Sequence, residues 1–400
     1  MRRARGAGAV TVVLMILAGC VLAGCAAEPP APRAALSRAT SAPPTSAAPT
    51  PEASPLPGAA RPHRTEDRGP VDVYAADRPG MLSPVVKGFR SLVYVPNSES
   101  GTVDVIDPET YRVVRHFRVG ALPQHVVPSW DLKTLWVNNN QGNTLTPIDP
   151  RTGKPGRPVH VEDPYNLYFS PDGRYALVMA ERNNQLDLRD PHTMRLRRSL
   201  SVPCRGINHG DFTVDGSVFL ASCEFSGDLV VLDWRAPRVI RHIHLGDRSM
   251  PQDVKLSPDG TVFYIADMAR HGVWLVNAET YRVIRFLPTG RGAHGLYVSR
   301  DSRHLYVSNR GGGSVSVVSF TKRKVVDVWR IPGGGSPDMG GVSADGTKLW
   351  LSGRYHGVVY VFDTRKGEVI RTIPVGAGPH GLCVYPQPGR YSLGHTGIFR

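Results

Sequence analysis

The stretch Leu92-Val-Tyr-Val-Pro-Asn-Ser-Glu-Ser-Gly-Thr-Val-Asp-Val-Ile-Asp107 contains two apolar strands around a Gly-containing loop, and the second strand ends in Asp. Similar phrases recur along the chain and end at Asp107, Asp149, Asp190, Asp233, Asn277, Ser319 and Asp363. Successive ends are 42, 41, 43, 44, 42 and 44 residues apart. Periods of about 40 to 45 residues built from short strands are typical of propeller blades. The sequence therefore predicts an all-β, seven-bladed β-propeller.

Each repeat predicts a four-stranded antiparallel blade. In six repeats the innermost strand leads into a turn that contains Asp or Asp-Gly, as in Ser170-Pro-Asp-Gly173 and Ser257-Pro-Asp-Gly260. Asp-Gly between apolar strands favours a hairpin. The first repeat has no such turn before Leu92, and the last innermost strand, at residues 380–385, has none after it. Joining these two segments in one blade would close the ring with the N- and C-terminal strands of the array.

The chain divides into three parts. Residues 1–24 have the charged-then-apolar order of an export signal, with arginines at positions 2, 3 and 5. Residues 25–70 are rich in Ala, Pro, Ser and Thr, which predicts a disordered tether. Residues 71–400 form the predicted propeller.

Two Leu-Ala-Gly-Cys boxes end at Cys20 and Cys25, and both resemble the bacterial lipoprotein cleavage box. Lipidation is expected at Cys25, because the polar, Pro-rich sequence begins just after it, with Cys20 as the alternative. A plain transmembrane anchor of about 20 residues is the competing interpretation. The resemblance implies an exported protein, lipid-anchored to the outer side of the bacterial cytoplasmic membrane or to the cell surface.

The formal net charge of +14 suits an anionic partner, although it could also serve solubility alone. The basic residues are scattered through the repeats, so the pattern does not decide between a protein, a glycan and a nucleic acid as ligand. The fold favours a monomer.

Cys204 lies just before an innermost strand, and Cys223 ends the strand that pairs with it. The hairpin brings both to one face, which makes a disulfide plausible outside the cytoplasm. Cys383, inside the last strand, is expected to be a buried apolar residue.

Polar residues at the start of the innermost strands, with arginines in neighbouring loops, are the candidate ligand-binding set: His125, Asn166, His209, Asp253, His294, Asp338, His380, Arg270, Arg310 and Arg354. Converging His and carboxylates could bind a metal or act as acid and base. The alternative is that they solvate a water-filled channel. We predict no metal, no cofactor and no assigned catalytic residue, and enzymatic activity is left open but disfavoured.

Several specific chemistries lack their motifs. The sequence has no Cys-x-x-Cys-His for c-type haem, no Gly-x-Ser-x-Gly nucleophile elbow and no Gly-rich phosphate loop before a helix. A nucleophilic enzyme is therefore disfavoured.

The phrases Tyr94-Val-Pro-Asn97, Trp136-Val-Asn138 and Tyr306-Val-Ser-Asn309 resemble the YVTN-type, surface-layer-like β-propeller repeat. The resemblance covers about residues 90 to 385. Propellers of this kind occur in surface-layer proteins, in periplasmic binding proteins, and in relatives of lactonases and of the haem-binding propeller of a nitrite reductase. The resemblance does not settle the function, and our leading interpretation is a membrane-tethered binding module that uses its funnel face or basic surface. A lactonase-like hydrolase or a cofactor-binding propeller with a His/Asp/Glu/Arg funnel is the alternative, and a purely structural surface protein is the third.

Overall fold

The computed structural model describes residues 71–400, which form seven antiparallel sheets. The predicted signal peptide, both Leu-Ala-Gly-Cys boxes and the tether lie outside the described residues. Each sheet is one blade of a propeller, so the predicted fold class is confirmed. No helix among residues 71–400 combines the length and apolarity required to cross a membrane.

In chain order the strands are β1 (Leu92–Asn97), β2 (Thr102–Asp107), β3 (Arg112–Arg118), β4 (Pro123–Pro128), β5 (Leu135–Asn139), β6 (Thr144–Asp149), β7 (Lys154–Pro155), β8 (Val159–His160), β9 (Pro164–Phe169), β10 (Ala176–Ala180), β11 (Gln185–Arg189), β12 (Leu196–Ser201), β13 (Ile207–Phe212), β14 (Val218–Cys223), β15 (Asp228–Asp233), β16 (Arg238–His244), β17 (Pro251–Leu256), β18 (Val262–Asp267), β19 (Gly272–Asn277), β20 (Val283–Pro288), β21 (Ala293–Val298), β22 (His304–Asn309), β23 (Ser314–Ser319), β24 (Lys324–Arg330), β25 (Pro337–Val342), β26 (Lys348–Gly353), β27 (Val358–Asp363), β28 (Glu368–Pro374), β29 (Cys383–Tyr385), β30 (Ser392–Gly394) and β31 (Ile398–Phe399). Short 3-10 helices span Ala75–Asp77, Pro84–Val86 and His395–Gly397.

The innermost strands of blades one to seven are β29, β4, β9, β13, β17, β21 and β25. Each of these hub strands contacts the hub strand of the next blade, all the way around the ring. In blade one, β29 pairs with β1 through Leu92 and Tyr385, Val93 and Val384, and Tyr94 and Cys383. The predicted closure from both ends of the array is therefore confirmed, and it leaves no open edge between the first and last blades.

Apolar side chains fill the spaces between successive blades. Strand β1 is buried along its whole length, whereas the rim strand β3 is mostly exposed. Between blades six and seven, Tyr306 and Trp329 pack in one cluster with Leu351 and Phe362. Such burial, at roughly 25 cal/mol per Å² of apolar surface, is what holds neighbouring blades together.

The recurring Asp residues form turns. Asp107 Oδ1 accepts hydrogen bonds from the backbone N–H groups of Glu109 (2.9 Å) and Thr110 (3.2 Å). In the turns that follow the hub strands, on the same face, Ser170 Oγ donates to Asp172 Oδ1 at 2.6 Å. These side chains satisfy the turn backbone, as Asx turns do.

Rim arginines of three blades contact a turn of the next blade. Arg115 donates to the carbonyl oxygen of Thr152 at 3.4 Å, and Arg241 donates to that of Thr280 at 2.9 Å. Arg285 makes the same contact with the carbonyl oxygen of Arg323. The rim contacts therefore use backbone acceptors.

Residues 386–400, which we call the closing segment, follow β29 and lie at the hub. Strand β30 pairs with the hub strand β9, and the 3-10 helix at His395–Gly397 contacts the hub strands of blades two, three, six and seven. Leu393, Ile398 and Phe399 are buried in the apolar clusters between blades. The sequence left open a water-filled channel along the propeller axis. Where the closing segment lies, the chain itself occupies that channel.

Residues near both ends of the described chain meet at the face opposite the loops that lead into the hub strands. Tyr74 donates its hydroxyl to the carbonyl oxygen of Leu256 at 2.9 Å. The Arg400 guanidinium lies 3.2 Å from Asp211 Oδ1 and 4.7 Å from the centre of the Tyr74 ring. This packing fixes the end of the closing segment below the hub.

Replacing Gly394 by Ala should displace the closing segment. Gly394 has φ of 121°, and an added Cβ would lie 2.5 Å from the oxygen of Leu167 and 2.7 Å from Cα of Tyr168. We expect the free energy of unfolding to fall by about 2 to 4 kcal/mol, measured by urea denaturation. Gly333→Ala is the control, because Gly333 also has positive φ but nothing lies within 4 Å of its Cβ position. Equal losses in the two variants would contradict tight packing of the segment.

Candidate functional site

Seven polar residues near the start of the hub strands, one from each blade, form what we call the hub ring: His125, Asn166, His209, Asp253, His294, Asp338 and His380. All seven are buried, none more than 2% exposed. In six of the blades the hub strand shifts register at or beside this residue. Such β-bulges re-aim side chains. They explain how histidines at different spacings from their turns come together.

Three histidines form the first part of the site, which we call the histidine triad: His125, His209 and His395. One nitrogen from each ring lies within 4.8 Å of the others. The ring of His395 is centred 4.2 Å from that of His125 and 5.0 Å from that of His209. Nε2 of His125, Nε2 of His395 and both ring nitrogens of His209 are buried without a hydrogen-bond partner among the described residues.

A backbone contact orients His125. Its Nδ1 lies 2.9 Å from the carbonyl oxygen of Tyr165, which can only accept, so Nδ1 carries the proton. Nε2 is then left with a lone pair that has no partner among the described residues. A histidine held this way by a carbonyl is typical of metal ligands.

The second part of the site, the Asp338 cluster, consists of His294, Asp338, His380 and Arg310. Asp338 Oδ1 lies 3.0 Å from His294 Nδ1 and 2.7 Å from Arg310 Nη2, and Asp338 Oδ2 lies 3.5 Å from His380 Nε2. Arg310 also donates to Nε2 of His294. This cluster therefore already contains a cation, the guanidinium.

Burial keeps the histidines neutral. It lowers the pKa of His125 to about 3 and that of His294 to about 4. Burial likewise holds the pKa values of His209, His380 and His395 well below their usual range, and neighbouring rings add to the effect. Neutral rings offer lone pairs at pH 7.

The opposite charge state holds for Asp338. Burial alone would raise the pKa of this carboxyl, but the Arg310 guanidinium, with His294 and His380, lowers the pKa well below its usual range. Asp338 is therefore an anion that Arg310 neutralises.

The remaining predicted site residues contact groups outside the two clusters. Asn166 donates to the carbonyl oxygen of Asn208 at 3.1 Å, and Asp253 Oδ2 accepts from the backbone N–H of Leu296 at 2.9 Å. Arg354 donates to Ser98 Oγ at 3.0 Å and so links blades seven and one. Arg270 is exposed and stacks 5.8 Å from Trp274, away from the histidines. The structure thus gathers the histidines, Asp338 and Arg310.

His395 was not among the candidate residues read from the sequence. It lies outside the repeats and has no equivalent in other blades, so no spacing marked it. The available signal was composition: the closing segment carries Tyr391, Leu393, Ile398 and Phe399 within ten residues, which is more apolar than an exposed tail.

Two carboxyls, Glu181 and Glu224, lie in the loops on the same face as the entry to the hub strands. Burial, followed by the nearby Glu224 carboxyl, raises the pKa of Glu181 to about 9. Burial also raises the pKa of Glu224, whose Oε2 accepts from Asn208 Nδ2 at 2.8 Å.

Cys204 and Cys223 form a disulfide beside this face. Cys383 is a free, buried thiol in β29. Among residues 71–400, no cysteine belongs to the group of side chains that forms the histidine triad.

The comparisons with known proteins agree on the fold. The family model described as YNCE-like beta-propeller matches residues 83–389. Antigen Lp49 of Leptospira interrogans serogroup Icterohaemorrhagiae serovar copenhageni (strain Fiocruz L1-130) is 25% identical over 141 residues, which cover 34% of this chain and 30% of that protein. The match thus spans under a third of the antigen's length.

Solved structures extend the likeness over most of the chain. A functionally unknown protein from Desulfotomaculum acetoxidans DSM 771 superposes with a TM-score of 0.64 at 13% identity, covering 73% of this chain and 98% of that one. Kuenenia stuttgartiensis hydrazine synthase gives 0.58 at 17% identity, covering 71% and 97%. A putative 6-phosphogluconolactonase from Bacteroides uniformis ATCC 8492 gives 0.58 at 16% identity, covering 73% and 99%. At these identities the likeness shows the fold alone.

Replacing Glu181 by Gln should stabilise the protein at pH 8 and much less at pH 5. Between about pH 4.5 and 9 the carboxyl is protonated in the folded protein and ionised in the unfolded one. The unfolded state then binds fewer protons, so the free energy of unfolding falls as pH rises, by up to about 1.4 kcal/mol per unit. Gln does not titrate.

We expect the stability of Glu181→Gln relative to wild type to rise by about 1 to 3 kcal/mol between pH 5 and pH 8, measured by urea unfolding. Glu109→Gln is the control, since Glu109 is an exposed turn residue. A difference that does not change with pH would contradict the buried, protonated carboxyl.

Proposed function

Because the chain belongs to the YNCE-like β-propeller family, whose fold does not fix an activity, we propose a function from its hub: an exported, lipid-anchored binding propeller that holds a divalent transition-metal ion. The ligands are the histidines of the triad. The tether would hold this site outside the cytoplasm, at the membrane or cell surface.

The unpartnered nitrogens of the triad support this proposal most directly. An unpaired buried polar atom costs about 1 to 3 kcal/mol, and native proteins contain few of them. Here the three rings carry four such atoms, and one nitrogen from each ring lies within 4.8 Å of the others. A metal ion that accepts one lone pair from each ring would remove much of that cost.

The ligand type favours particular metals. Neutral imidazole suits Zn²⁺, Cu²⁺ and Ni²⁺, whereas Mg²⁺ and Ca²⁺ prefer oxygen ligands. Three histidines are a known zinc ligand set, with a fourth position left for water or another ligand. We therefore propose an ion of the zinc, copper or nickel type.

The Asp338 cluster is a weaker candidate for a second ion. Its carboxylate is already paired with Arg310 at 2.7 Å. An incoming ion would have to displace the guanidinium, which is charged at all relevant pH values. Asp338 and Arg310 serve instead as a neutral pair beside the triad.

Burial favours ion binding over hydrolysis of a sugar-sized lactone. The triad histidines are at most 2% exposed, and so is Asp338. A general acid or base must lie within hydrogen-bonding reach of its substrate. A single ion, in contrast, needs only the space between the three rings.

Metal titration tests the site. The full chain, purified in detergent and stripped with a chelator, should bind one Zn²⁺ or Cu²⁺ ion by calorimetry. His209→Ala should weaken binding at least about 100-fold, because loss of a residue that merely supports a ligand already costs 10- to 100-fold. His192→Ala is the control, since His192 is exposed in a turn. Equal affinity of wild type and His209→Ala would contradict the proposal.

Lipid anchoring has a separate test. Cys25→Ser should move the protein from the membrane fraction to the soluble fraction and abolish incorporation of labelled palmitate, whereas Cys20→Ser should change neither. The physical reason is that acyl chains supply the membrane affinity. Retention of both variants in the membrane without palmitate label would indicate a transmembrane anchor instead.

A further inference from the structure

The metal site would join parts of the chain that are far apart in sequence. His125 belongs to β4 of blade two and His209 to β13 of blade four. His395 belongs to the closing segment, the only triad member outside a hub strand. The segment follows β29, the strand that closes the ring.

Ring closure in blade one lacks a hairpin turn. Strand β29 pairs with β1 through three ladder pairs and an isolated bridge between Asn97 and Pro379, about as many as the four or five pairs of the other hub strands. Because every other hub strand is joined to its partner by a short turn, whereas β29 and β1 lie at opposite ends of the array, this seam is where local opening should start. Whatever holds the closing segment in the hub therefore also supports the seam.

Other contacts also hold the segment in the hub. Ser392 donates its backbone N–H to the carbonyl oxygen of Trp130 at 3.2 Å, and Gly394 is the single residue of β30 paired with β9. Apolar anchors lie on either side of His395, at Leu393 and Ile398. Between these anchors, His395 Nε2 has no partner.

Resting on the proposed metal site, we infer that the bound ion links the closing segment to the ring: it coordinates His395 together with His125 and His209 and so secures the seam of blade one. Metal binding and opening of the segment are then coupled. With the ion bound, the segment stays in the hub. Without it, three neutral rings face one another with nothing to bind, and the segment opens more often.

The size of the coupling follows from mass action. A ligand that binds only the closed form at 100 times its dissociation constant lowers the open population about 100-fold. The family model ends at residue 389, before His395. The metal link is therefore a feature proposed for this chain.

Hydrogen exchange of the full chain tests the inference. Zn²⁺ at about 100 times its measured dissociation constant should slow exchange of residues 386–400 and β29 up to about 100-fold, and should leave β19 of blade five unchanged. This comparison uses wild-type protein only, so it does not depend on whether a variant folds. His395→Ala should bind Zn²⁺ more weakly, and in it Zn²⁺ should no longer slow exchange of the segment. His192→Ala should behave as wild type.

The outcomes separate the two proposals. If calorimetry detects no metal binding in the wild type, the proposed function fails and the link fails with it. A different result would contradict the link alone. In that case Zn²⁺ binds and its binding depends on His209, but Zn²⁺ does not slow exchange of the segment and binds His395→Ala as tightly as wild type. The metal site would then stand and the link would be wrong.

Discussion

The pairing of β1 with β29 is the constraint on which the rest of this structure depends. It joins strands almost 300 residues apart and turns a row of blades into a closed ring. Closure forces seven hub strands onto one axis, so equivalent residues that are about 42 positions apart in sequence become neighbours in space. A propeller can thus assemble a site from single residues contributed by many blades, without any local motif.

The hub combines two solutions to the burial of polar groups. Asp338 and Arg310 neutralise each other, and the ion pair is supported by hydrogen bonds, as buried charges require. The triad is compensated only in part: His125 Nδ1 has the carbonyl oxygen of Tyr165 as a partner, whereas its Nε2, both nitrogens of His209 and Nε2 of His395 have no partner among the described residues. The two adjacent clusters therefore differ in what they lack. The Asp338 cluster already contains the Arg310 guanidinium as its cation, and for this reason we assign the metal ion to the triad.

The sequence predicted the fold well because each blade repeats the same strand and turn chemistry. It also located His125, His209, His294, His380 and Asp338, since the repeat marks the start of every hub strand. It did not predict that their side chains converge: His125 precedes Ser129 by four residues and His294 precedes Ser299 by five. If side chains alternated strictly along the strands, these two histidines would point to opposite faces of their blades. The β-bulges that bring them together leave no clear pattern in the sequence.

The closing segment was not predicted for a related reason. Its position depends on packing against several blades at once, and it has neither a strand period nor a repeat partner. His395 therefore could not be ranked with the other histidines. The lipid anchor and the tether stay predictions, because they fall outside residues 71–400.

The rim arginines have a consequence for how such a protein can change. Arg115 and Arg241 bind backbone carbonyl oxygens of the adjoining turn, at Thr152 and Thr280. A carbonyl is present whatever side chain the turn carries. Turn sequences can therefore drift without losing the contact, and duplicated blades remain compatible neighbours as they diverge. The contacts between blades can therefore persist as the sequence evolves. Single residues at the hub can change meanwhile and give the same fold a different binding site.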